Sequence, residues 1–64
     1  MTYYRKWYQE NSGNWIIESR VSDTIQILAT TLTEQLADVM LACLLCNMWP
    51  VLDNLQPTEW YEAS

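Results

Sequence analysis

Residues 23–49, DTIQILATTLTEQLADVMLACLLCNMW, decide how the chain is read. Wound at about 100° per residue, Ile25, Leu28, Leu32, Leu36, Val39, Cys43 and Cys46 fall on one stripe with a helical mean spacing, which predicts an amphipathic helix. Asp23, Thr31, Glu34 and Asp38 make a polar face opposite that stripe. After Asp38 the same face is taken over by Leu41, Leu45 and Met48, with Leu44 beside them. The second half is therefore apolar all round, and such a helix must be covered on every side, in a core, an oligomer or a membrane.

The predicted ends follow from local chemistry. Asp23 suits the N-cap with Gln26 three residues on, and Pro50 stops the helix because it cannot donate to the carbonyl of Cys46. Such a rod is roughly 40 Å long at about 1.5 Å per residue. Residues 2–10 and 14–22, rich in aromatic and β-branched types, read as two strands joined at Asn11-Ser12-Gly13. A three-residue loop with Gly13 left-handed pairs Glu10 with Asn14. That register sets Lys6 opposite Glu18 and Tyr4 opposite Arg20, and puts Tyr3, Trp7, Trp15, Ile17 and Val21 on the face that covers the helix.

The expected fold is thus α+β: an N-terminal antiparallel β-hairpin (2–22) on one long helix (23–49), with a short helical or irregular tail (50–64), in a single domain of 64 residues. Strands of about eight residues reach only some 27 Å, so part of the rod stays open. A chain this small buries about 60% of its unfolded surface and is marginal alone. Both arguments predict a homodimer through the C-terminal half of the helix, with Leu41, Leu44, Leu45, Met48 and Trp49 at the interface.

Charge points to the kind of partner. Three Lys and Arg stand against eight Asp and Glu, for a formal net charge of −5, and every basic residue lies within the first twenty positions. Such a surface favours a basic protein and repels nucleic acid. The expected partner-binding residues are Glu34, Asp38, Glu59 and Glu62, with Trp60 and Tyr61 serving either as a clasp on the core or as a docking motif.

No catalytic chemistry is expected. The chain has no His and a single Gly, which leaves no general base of that type and no Gly-rich phosphate loop. Cys43 and Cys46 form a CxxC, but near a helix C-terminus and on the apolar stripe they read as packing residues. No cofactor and no metal follow from this composition. The aromatic, charged N-terminal residues predict no secretory signal, and with two cysteines the expected location is the cytoplasm.

Two other classes remain. Residues 39–52 are nearly all apolar, which suits a membrane-associated protein, although they fall short of the ~20 that a spanning helix needs. The run Tyr3-Tyr4-Arg5-Lys6-Trp7-Tyr8 interleaves aromatics with bases, as a β-ribbon nucleic-acid binder would. In size, acidity and lack of catalytic groups the chain resembles the small viral inhibitors and regulators that bacteriophages encode, anti-defence proteins among them. That resemblance implies a protein that blocks a larger partner in the host cytoplasm.

Overall fold

The computed structural model describes residues 1–45 and 55–63. In chain order it forms β1 (Thr2–Gln9), β2 (Asn14–Val21), β3 (Thr24–Thr31), α1 (Glu34–Leu45) and a two-residue strand β4 (Tyr61–Glu62). The strands are antiparallel in the order β3-β2-β1-β4, and α1 packs across one face. The α+β class and the N-terminal hairpin are as expected.

The single helix over 23–49 is not. Residues 24–31 form β3, and α1 begins only at Glu34. Five of the eight residues of β3 are Thr or Ile, whose branched side chains favour extended backbone. Asp23, expected at the helix start, instead makes with Ser22 the two-residue turn between Val21 and Thr24, with Ser22 left-handed at φ 55°. The true N-cap is Thr33: its hydroxyl accepts from the Leu36 N–H at 3.2 Å, and its carbonyl accepts from Ala37 N–H at 3.2 Å. Glu34 in the first turn adds a favourable charge near the helix dipole. Residues 46–49 of the expected helix lie outside the described residues, as do residues 50–54 of the tail.

The hairpin register differs from expectation by one residue. Gln9 pairs with Asn14, so Glu10 joins a four-residue loop, with Gly13 left-handed at φ 73° and its N–H bonded to the Gln9 carbonyl at 2.9 Å. A one-residue slip turns a whole strand over. Ile17 and Trp15 of β2 still face the helix, but from β1 they are joined by Tyr4 and Lys6 rather than Tyr3 and Trp7. Glu18 consequently stands opposite Arg5, and Arg20 opposite Tyr3.

The core between sheet and helix comprises Ile17, Ala37, Leu41, Leu45 and Leu55, with Tyr4, Trp15, Ala29 and Tyr61 packed around it. The chain returns to the sheet after Leu55. Thr58 N–H bonds to the Lys6 carbonyl at 2.7 Å and Ala63 N–H to the Thr2 carbonyl at 2.9 Å, on either side of β4.

Candidate functional site

Three surfaces carry chemistry, and the sheet separates them. The first is internal. Lys6, with 1% of its side chain exposed, reaches from β1 to the helix, where its Nζ bonds to Glu34 Oε2 at 2.9 Å and also to the Asp38 carboxylate. Burial pushes the Lys6 pKa down, but the hydrogen bonds and charges of Asp38 and Glu34 outweigh it, and the net direction is upward. Asp38 and Glu34 are one helical turn apart, so a single ammonium reaches both.

On the opposite face of the sheet, Arg5 Nε bonds to Glu18 Oε1 at 2.7 Å. The Arg5 guanidinium lies 4.5 Å from the centre of the Trp60 ring, and that of Arg20 lies 4.8 Å from both Trp60 and Tyr3. Trp60 is placed there by the pairing of Tyr61 with Tyr4, which sets the two neighbouring side chains on opposite faces. Trp60 and Tyr61 therefore clasp the sheet from its two sides: Tyr61 joins the core and Trp60 stacks on arginines.

The third surface is the β3 edge with the adjoining flank of α1. β4, the other edge, is two residues long and is flanked by Pro57 and Glu59, the usual protections of an edge strand. β3 is protected only at its limits, by Asp23 before it and by the bulge at Leu28, and not between Thr24 and Ile27. It is eight residues long, and from residue 24 to residue 33 the chain carries no charge and no proline. Ile25 and Ile27 are 53% and 56% exposed, and Leu28 sits at a bulge opposite Ile17 and Glu18. Beside it, an apolar groove of about 360 Å³ runs between Leu28 and Ala29 of β3 and Val39 and Met40 of α1. Leu36 is one turn before Met40 on that flank and is also exposed.

The residues expected to mediate self-association are divided. Leu41 and Leu45 are buried in the chain's own core, Leu44 is half-buried beside the groove, and Met48 and Trp49 lie outside the described residues. Of those expected to meet a partner, Glu34 and Asp38 bind Lys6, while Glu59 and Glu62 are exposed on the tail. The aromatic–basic ribbon is also dispersed, because Tyr4 and Lys6 turn toward the helix. Cys43 is exposed on α1, and Cys46 lies outside the described residues.

Sequence reasoning missed the β3 edge and the bridging role of Lys6. The charge-free, β-branched run from Thr24 was the available signal for the first; nothing local marked the second. Among the described residues there is no group of three or more His, Cys, Asp or Glu placed to hold a metal ion, and no helix is long and apolar enough to cross a membrane. No family model, curated protein or solved structure matches the chain.

Proposed function

We propose that this chain is a non-enzymatic protein–protein interaction module that binds and blocks a larger, basic protein, in the manner of the small phage inhibitors it resembles. The observation that carries the reading is how charge is distributed. Lys6 is taken up by Glu34 and Asp38, and Arg5 by Glu18. Glu10, Asp23, Glu59 and Glu62 are left exposed, and Arg20 alone of the three cations has no carboxylate bound to it among the described residues. The outward field is acidic, and it speeds encounter with a surface of opposite sign.

The test is capture from a lysate of the source cell on immobilised protein. The expected result is a basic protein retained at low salt, released as salt is raised, and retained at least tenfold less by a Glu59→Lys, Glu62→Lys double variant. Capture that ignores both salt and charge reversal overturns the proposal.

A further inference from the structure

We infer that two copies of this chain join edge to edge through β3, antiparallel about a two-fold axis at Gln26, so that Ile25 of each copy lies opposite Ile27 of the other and the two sheets become one.

The backbone selects a strand as the occupant. Val21 and Thr24 flank a two-residue turn, and such a closing pair is hydrogen-bonded. By alternation, Gln26 directs its main-chain groups toward β2, and Ile25 and Ile27 direct theirs outward, where no strand lies among the described residues. A second β3 centred on Gln26 turns those groups into two hydrogen-bonded pairs, with about four main-chain bonds. The two Gln26 residues then meet as the non-bonded pair between them. Facing residues in a sheet share a face, and this register satisfies that rule, because Ile25 and Ile27 lie on the side away from the helix. A shift of one residue sets each isoleucine against a residue of the helix side, and the match is lost. Past Ile27 the bulge at Leu28 bends the strand, which confines the pairing to its first half.

Charge selects a second copy. No charge lies between residues 24 and 33, so the paired strands bring no like charges together, and a basic segment would find no carboxylate there to pair with. Apolar surface on both faces of the sheet supports the same occupant. Both helices end on the same face of the joined sheet, with the exposed Val39 and Met40 of each beside β3 and Leu36 one turn before Met40. Ile25 and Ile27 meet their counterparts on the other face, so with Leu28 the junction draws on six exposed apolar side chains per copy. This inference does not rest on the basic-partner reading, and salt separates the two. Each copy carries −5, so salt strengthens self-association by screening repulsion, whereas it weakens binding to a basic partner.

The experiment is light scattering on the full chain at micromolar to millimolar concentration, across a salt series, with two variants at the exposed Gln26. Wild type is expected to reach twice the monomer mass of 7.6 kDa, at lower concentration as salt rises. Gln26→Glu sets two carboxylates face to face and is expected to weaken the dimer at least tenfold while circular dichroism remains that of the folded chain. Gln26→Cys is expected to give a disulfide-linked dimer in glutathione buffer, with oxidised glutathione taking up the two electrons, because Cα atoms of non-bonded pairs lie about 4.5 Å apart. Thr30→Cys, on the same strand but away from the axis, is expected not to cross-link. A wild type that stays monomeric throughout overturns the inference. So does a dimer that Gln26→Glu leaves intact, or one that Thr30→Cys traps and Gln26→Cys does not.

Discussion

A lysine with 1% of its side chain exposed must hold its charge against desolvation, and Lys6 does so by bridging two carboxylates of the helix. Its pKa is raised in the folded state, so the stabilisation it supplies is complete below the unfolded value near 10.5 and is lost as pH climbs through the higher folded value. Denaturant midpoints measured from neutral to strongly alkaline pH are expected to fall more steeply for wild type than for Lys6→Met, and only above about pH 10. At neutral pH, Lys6→Ala is expected to cost about 1–3 kcal/mol, below the 3–5 of a fully buried pair, because Glu34 is 46% exposed and rehydrates. The backbone carries two further local costs. Ser22 and Thr58 are non-glycine residues at φ 55° and 64°, and a β-branched side chain is poorly tolerated there. Thr58→Gly is expected to stabilise the fold by roughly 1 kcal/mol and Ser22→Gly by somewhat less, read as shifts in the urea midpoint.

Between Ser22 and Thr33, one stretch satisfies two periodicities. Ile25, Leu28 and Leu32 fit a helical stripe, while Ile25 and Ile27 alternate with Gln26 as a strand requires. The tie is broken by context. A third strand hydrogen-bonds along β2 and closes the exposed side of the hairpin, a gain no reading of side-chain spacing contains. The boundary chemistry was legible all the same, since Thr33 followed by Glu34 and Gln35 marks a helix start as well as Asp23 does. Thermal or urea unfolding of Thr33→Ala is expected to show a loss of about 1 kcal/mol, the cost of an N-cap, whereas Asp23→Ala in the exposed turn stays within about 0.5. The reverse order would restore the long helix. The hairpin itself was plain from its aromatic and β-branched runs and Gly13. Its register was not, because the three-residue loop that sorts the faces sets Lys6 opposite Glu18 on the outer side, and its partners Glu34 and Asp38 become visible only once the helix is in place.

At the scale of the whole molecule, the sequence shows that Leu41 and Leu45 need cover, as they have, but it cannot say by what, and Val39, Met40 and Cys43 stay exposed. An all-apolar helix surface looks the same whether its neighbours belong to its own chain or to another. Starting the helix at Glu34 rather than Asp23 and adding a third strand gives the sheet more of the chain, and Leu41 and Leu45 become interior residues at 0% and 1% exposure. Among the described residues of the stretch, the apolar surface left outside lies along the β3 edge, at Leu32 and on the Leu36–Met40 flank. This arrangement makes opposite demands on two substitutions. Leu45→Glu places a carboxylate among the buried Ile17, Leu41 and Leu55, at a cost comparable with the entire stability of so small a domain. It is expected to abolish the cooperative urea transition and the near-ultraviolet dichroism of the tryptophans. Gln26→Glu adds the same charge at an exposed position and is expected to keep both signals while sedimenting as a monomer. If Leu45→Glu instead yields a folded monomer with native dichroism, the helix end faces a second molecule and not the chain's own sheet.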